Sequence, residues 1–483
     1  MEPANKEAAP AAVVPAPDPF ETWALWVKDN VEAFVVAFII ALLVRCFCLE
    51  VFKIPTGSMT PTLLGDHPAY EDDDPGAPEV DSRRIPMVGG DRIMVSKFMY
   101  HLFPLQRFDV VVFKFPLDTS RNFIKRLVGM PNEKLLVQQG DLYFCPKGES
   151  VFHVARKPLR VQESVWIPVF PRRQLRKMNG AWIAEPGSAA VIDEDSATID
   201  TASATGGQAT LSFGKTVWDG YEAVGTDGSD RVGDLRLAAT VTWQGKGGSE
   251  GGVTFSIRSA PDWVEAWLPA SGEGKLKWQS DGGKEKSAPF PSVLGDGKPH
   301  DVALLNYDGL AHLRIDGEKV VEVPYRDDME RLNKGESGAS FIVRGGKATL
   351  ERVTVHRDIY YQSGGSGSVL HPEETAIDIP DRRYFMMGDN SPNSKDSRLW
   401  NFRVLRLQDG RVLRADTGNV KSSSKGYDVR DEFGVEYHLG KEELKSISPE
   451  YAPRSDAVFV REELIVGKAF YVWWPLNRMK LIR

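Results

Sequence analysis

Apolar and polar positions follow a different rule in each stretch of this chain. Between Ala33 and Val44 the run AFVVAFIIALLV holds twelve residues without a polar side chain. A bilayer span needs about 20 residues. With Arg45 snorkelling, the run continues through CFCL and reaches seventeen. Trp23 and Trp26 stand just upstream, where interfacial aromatics stand. The pattern predicts a transmembrane helix over 27–50, with a buried core helix as the alternative. A cleaved leader fits poorly, because no small-residue cleavage site follows. Residues 1–26 are rich in Ala and Pro at their start and predict a flexible tail.

From Val51 to about Pro171 the apolar runs are short and strand-like, as in DVVVF (Asp109–Phe113) and Lys134–Val137. Turn formers separate them, which predicts an irregular β domain. The acidic interruption HPAYEDDDPGAPEV (67–80) is a solvated loop or a cation site. Composition then shifts, for residues 201–350 hold 24 of the 44 glycines. Short strands recur there between turn signals, with Asp308-Gly309 and Asp316-Gly317 as hairpin turns. This spacing predicts a separate antiparallel sandwich. Its segment DGKPHDVALLNYDGLAHLRIDGEKVV (296–321) resembles laminin-G or concanavalin-like jelly rolls. Trp243, Trp263, Trp267 and Trp278 stack on sugars or pack in its core. The segment QSGGSGS after Tyr361 reads as a flexible linker.

The expected fold is therefore mainly β, with one N-terminal transmembrane helix and an inserted jelly-roll-like sandwich. The expected divisions are a β domain over 51–190, the sandwich over 191–360, and the rest of the β domain over 361–483. That last part carries a polar insertion at about 407–455.

Composition excludes more than it names. At 483 residues, 42% hydrophobic and 26% charged, the chain has ample core-forming sequence. Its net charge of -7 gives no footing for nucleic acid as main partner. Three cysteines without a CxxC pattern argue against a disulfide framework and a thiolate zinc site. No metal and no cofactor are expected.

Candidate chemistry begins right after the apolar run, in Phe52-Lys-Ile-Pro-Thr-Gly-Ser-Met-Thr-Pro-Thr-Leu63. Gly57 lets the chain turn tightly at Ser58, between the stiffening Pro55 and Pro61. Alone, this is an ordinary turn serine. In Arg121-Asn-Phe-Ile-Lys-Arg-Leu-Val-Gly-Met-Pro131, Lys125 sits among apolar strand residues. It is a snorkelling surface residue or a desolvated base. A lysine of ordinary pKa is neutral about once in 2,500 molecules at pH 7, and burial raises that fraction. No GxSxG elbow occurs and no histidine falls in a hydrolase motif, so a Ser-His-Asp triad is not indicated. A third segment, Gly388-Asp-Asn-Ser-Pro-Asn-Ser-Lys-Asp-Ser-Arg398, reads alone as a surface turn or cation site.

Together these three segments resemble bacterial type I signal peptidases, membrane-anchored Ser-Lys proteases. Gly90-Asp-Arg-Ile-Met-Val-Ser-Lys97 and the closing GKAFYVWWPLNR extend the resemblance, in the family's order. The resemblance implies Ser58 as nucleophile and Lys125 as general base. It implies an oxyanion donor from the Ser58 amide and a second from the Thr56 hydroxyl. Ser394 matches the serine that orients the lysine, and Asp396 with Arg398 matches a bracing ion pair. Ile54, Pro55, Met59 and Leu63 flank the serine and are the candidates for substrate contact. Implied partners are the signal peptides of exported preproteins and the lipid bilayer, plus a glycan or protein ligand for the sandwich. The implied location is the inner cell membrane, single-pass, with the catalytic domain extracytoplasmic. Two departures stand out: Ser391-Pro392 where the family commonly has Arg-Asp, and Asn132-Glu133 where it has Gly-Asp. Two other functions remain in view: a glycan-binding protein on an inactive peptidase fold, and a processing peptidase with few clients.

Overall fold

The computed structural model describes residues 19–68, 87–171, 177–221, 228–245, 250–259, 261–280, 282–326, 337–364, 368–370, 375–450 and 458–483. Most of the acidic 67–80 interruption and most of the N-terminal tail lie outside these residues. The chain enters through a helix over Pro19–Leu43 that ends in a wider turn at Val44–Cys48. Its stretch Trp26–Cys48 is long and apolar enough to cross a membrane, and none of it packs inside the protein. Phe34, Phe38 and Ile40 on this stretch are all half exposed or more, as a lipid-facing helix requires.

The helix runs straight into Leu49–Lys53, the edge strand of an eight-stranded antiparallel sheet. The order continues through Arg92–Ser96, Ile465–Trp474, Val110–Phe115, Asp118–Gly129, Arg383–Met387 and Val460–Arg461, with Lys480–Leu481 on Ile465–Trp474. Asp118–Gly129 thus pairs with a strand more than 250 residues downstream, so the flanking halves build one sheet. A four-stranded sheet of Ile377–Ile379, Glu133–Gln138, Asp141–Pro146 and His153–Val154 packs beside it. Phe115, Phe123 and Trp400 form an aromatic cluster under the main sheet, with Phe115 and Phe123 stacked at 4.3 Å.

The inserted unit is a sandwich of an eight-stranded and a seven-stranded antiparallel sheet around one large apolar core. Both hairpin turns form as the sequence implies. Asp308, Gly309, Asp316 and Gly317 all have positive φ, the backbone that a two-residue Asp-Gly turn demands. The sandwich sheets start earlier than residue 191, because Ile167–Phe170 and Trp182–Ala184 are hydrogen-bonded into them. Phe170 and Trp182 meet edge to face in the sandwich core, which draws this approach segment in. Trp243 and Trp278 are buried in that core, leaving only Trp263 and Trp267 of the four tryptophans partly exposed.

One further expectation needs correction. Beyond Tyr361 the described linker residues are packed rather than free, with Ser363 and Ser368 buried and Gln362 hydrogen-bonded. The polar 407–455 region contains strands Val412–Asp416 and Leu444–Glu450 on Phe402–Leu407, plus a three-stranded sheet. Leu405, Leu407, Leu413, Val429 and Leu439 give it a small core.

Candidate active site

The serine turn is gripped from both sides. Gly57–Met59 makes one tight helical turn, closed by the N–H of Thr60 on the Gly57 carbonyl. Gly65 and Gly90 lie against it so closely that a side-chain carbon on either would sit 2.2 Å or less from backbone atoms of Thr56 or Ile54. Asp91 accepts the Leu64 N–H and takes both forks of Arg478 at 2.8 and 2.9 Å. The Gly-Asp segment and the closing segment therefore meet physically behind the serine.

Lys125 comes from the long strand Asp118–Gly129, and its Nζ donates to Ser58 Oγ at 2.7 Å. Only 5% of Lys125 and 7% of Ser58 is exposed. Burial lowers the lysine pKa to about 8, against the pull of Asp396 and Asp389, which favour the ammonium. About one molecule in eleven then carries a neutral amine at pH 7.

The loop Gly388–Arg398 closes the other side. Asn390 donates its backbone N–H to the Ser58 carbonyl and its side-chain amide to the Gly57 carbonyl, each at 3.1 Å. Arg398 holds Asp396 through two bonds of 2.8 Å and also reaches the carbonyls of Gln362 and Ser391. Burial alone would raise the Asp396 carboxyl, but Arg398 and the Gly388 N–H hold it below its usual range.

The expected residues fall in differing places. Ser58, Lys125, Ser394, Asp396 and Arg398 come together in one buried cluster. Ser394 Oγ is buried without a hydrogen-bond partner of good geometry, and lies close enough to Asp396 to favour that carboxylate's charge. Thr56 stands exposed at the start of the turn, with extended backbone. Ile54, Met59 and Leu63 are buried in the core behind the serine, while Pro55 is exposed.

The site holds a second ion pair, to which the sequence motifs assign no role. Arg126, fully buried, forks onto Asp389 at 2.7 Å twice, and Thr62 donates to the same carboxylate at 2.5 Å. Its other nitrogen reaches the Phe108 carbonyl at 2.7 Å. The signal was present: an arginine beside Lys125 and an aspartate beside Gly388, each a charge in an otherwise apolar or turn context. Both departures are locally satisfied. Ser391 Oγ accepts the Gln362 N–H, and Glu133 forks onto Arg107 while accepting the Met130 N–H.

Of metal-ligand types among the described residues, Asp141, Asp234 and Asp308 approach within 4.8 Å of one another where the two units meet. Asp141 is taken by Arg326 and Asp308 by Lys157, while Asp234 accepts the Asp308 N–H. That cluster fastens the sandwich to its host.

Two segments of this chain are similar to known proteins. The family described as signal peptidase, peptidase S26, matches residues 77–157 and 307–414. These two segments are similar to the signal peptidase S26 family. They contain Lys125 and the 388–398 loop, and the first begins after Ser58. A probable signal peptidase I-1 of Synechocystis is 31% identical over 27% of this chain and 55% of its own length. Signal peptidase I of Pseudomonas fluorescens is 34% identical over 26% of this chain and 40% of its length. For the Pseudomonas aeruginosa enzyme the identity is 36%, over 24% and 39%. The chain thus spans about half or less of the length of these relatives. Among solved structures, a Bacillus subtilis carbohydrate-binding module covers 36% of this chain and 94% of its own at 13% identity and TM-score 0.25. A Caenorhabditis elegans galectin covers 26% and 82% at 11% identity and TM-score 0.20.

Proposed function

We propose that the protein is a membrane-bound endopeptidase of the type I signal peptidase kind, cutting exported preproteins after small residues with a Ser58–Lys125 dyad. The observation that carries this reading is the 2.7 Å contact from a buried lysine to the turn serine. The neutral amine of Lys125 takes the Ser58 proton as Oγ attacks the carbonyl before the cleavage point. Charge gathering on that oxygen meets the Ser58 amide and the Thr56 hydroxyl; one such donor is worth about 2.7–4 kcal/mol. Lys125, now an ammonium, protonates the leaving amine, breaking the C–N bond. The regenerated amine then activates water to release the ester.

Ile54, Met59 and Leu63 give the serine a rigid apolar backing, and Pro55 fronts it, which fits selection of small side chains such as Ala. Anchoring follows from connectivity, since only nine residues lie between Cys48 and Ser58. Phe98, Leu102, Phe103, Leu476 and Leu481 stand exposed on neighbouring elements, a suitable seat for a lipid surface. In this reading the helix crosses the inner membrane once and the catalytic unit lies outside the cytoplasm. We read the sandwich as a laminin-G or concanavalin-like jelly roll from its two-sheet topology and Asp-Gly hairpins.

The test is cleavage of a detergent-solubilised precursor bearing an Ala-X-Ala site, with the new N-terminus read by mass spectrometry. Wild type is expected to cut there, and Ser58→Ala and Lys125→Ala are expected to be inactive. A folded wild type inert towards several precursors would favour the glycan-binding alternative. Cleavage of a single precursor from a broad panel would favour a specialised peptidase.

A further inference from the structure

The sandwich does more than dock beside the catalytic unit: it touches the loop that holds the serine. Val217–Tyr221 and the residues before Val232 run side by side, joined at Trp218 and Arg231. Asp219 organises them, its carboxylate accepting the N–H groups of Ser229 and Asp230 at 2.8 and 3.0 Å. Arg357, from the sandwich, bonds the carbonyls of Asp219 and Gly220 and lies 4.7 Å over the Tyr221 ring. So held, the Tyr221 hydroxyl donates to the backbone carbonyl of Asp389 at 3.3 Å.

The exit from the sandwich makes a second bridge. Gln362 donates its side-chain amide to Asp219 at 2.7 Å and its backbone N–H to Ser391 Oγ at 2.8 Å. Its carbonyl accepts Arg398 at 2.8 Å. One residue thereby ties the sandwich to the Asp396–Arg398 pair, at the place where the loop carries uncharged Ser391-Pro392. Behind both bridges the sandwich is fixed to its host by Lys157 on Asp308 and Asp358, at 2.5 and 2.9 Å, and by Arg326 on Asp141.

We propose that Tyr221 and Gln362 are positioning residues for the peptidase reaction, through which the inserted sandwich braces the 388–398 loop against Ser58 and Lys125. This rests on the serine–lysine reading given above. The path is short: Asp389 holds Arg126 beside Lys125, and Asn390 holds the Ser58 carbonyl. A misplacement of about 1 Å at a reacting group costs on the order of a hundredfold in rate. The charged groups that set the ionisation of Lys125 are Asp396, Asp389 and Arg398, all on this loop. A loosened loop admits water, relieves the desolvation of Lys125 and sends its pKa back up.

The test uses the full chain in detergent with an Ala-X-Ala precursor, measuring kcat, KM and the pH profile of kcat/KM. Tyr221→Phe and Gln362→Ala are each expected to lower kcat about tenfold with KM within about twofold. Their acidic limb should move to higher pH while thermal unfolding stays close to wild type. Tyr325→Phe breaks a comparable tyrosine bond inside the sandwich, to Asn306 at 2.7 Å, and is expected to leave kcat and the limb unchanged. Unchanged kcat and limb in the Tyr221→Phe/Gln362→Ala double variant would overturn the proposal. So would an equal loss in Tyr325→Phe, which would mark a general effect on the sandwich. Activity surviving in Lys125→Ala would instead defeat the underlying dyad.

Discussion

Asn390 and Ser58 are joined backbone to backbone, the N–H of one on the carbonyl of the other at 3.1 Å. The two residues are more than 330 positions apart, and the whole sandwich lies between them in sequence. This bond makes the shape of the Ser58 turn depend on the loop that carries Asp389, Asp396 and Arg398. Lys125 enters from a third segment, so the site exists only when all three segments are folded together.

Gly388 is where that closeness is tightest. A Cβ there would sit 2.2 Å from Ser394 Oγ and 2.4 Å from the Ser58 carbonyl. Gly388→Ala is expected to lower kcat by about a hundredfold or more, because the turn must move to make room. Gly338→Ala, whose added carbon meets nothing within 4 Å, should leave the precursor-cleavage rate unchanged.

Lys125 has a cost to stability, because its ammonium is buried. Its folded pKa, about 8, lies below the ordinary 10.5, so the folded state binds its proton more weakly than the unfolded state. Stability from this group therefore rises as pH climbs from about 8 to beyond 10, and the full burial penalty is borne below 8. Lys125→Met is expected to be inactive yet more stable at pH 7, by on the order of 3 kcal/mol. The gain should fade towards pH 10 in thermal unfolding scans. A destabilised Lys125→Met at pH 7 would contradict this.

Arg126 and Asp389 should behave in the opposite way. Both are completely buried, so Arg126→Met strands a carboxylate. Loss of about 3–5 kcal/mol is expected, read as a lower unfolding midpoint. The double variant Arg126→Met/Asp389→Leu should recover much of that stability without recovering cleavage.

What was legible in the sequence and what was not divide along physical lines. The apolar helix, the strand runs and the Asp-Gly hairpins were legible because they rest on local period and on backbone requirements of two residues. Ser58 and Lys125 stood out as candidates because short motifs around them carry the family resemblance. The Arg126–Asp389 pair is not legible, since pairing between residues 263 apart leaves no local period. The early start of the sandwich at Ile167 was hidden for the same reason: a short approach strand reveals its sheet only through its partner, Lys347–Arg357. The 407–455 region looked polar because its strands bury one face on a core of few residues. Gln362 looks like linker in the sequence because its glycine and serine neighbours outweigh a single amide whose partners lie elsewhere.

The most direct test of the account is the pH dependence of kcat/KM for wild-type cleavage of an Ala-X-Ala precursor. That profile reports the ionisation of essential groups in the free enzyme. With Lys125 as the base, activity should rise with pH and reach half its limit near the lysine's lowered pKa of about 8. A half-rise near 6.5, where a histidine titrates, with Lys125→Ala still active, would contradict it.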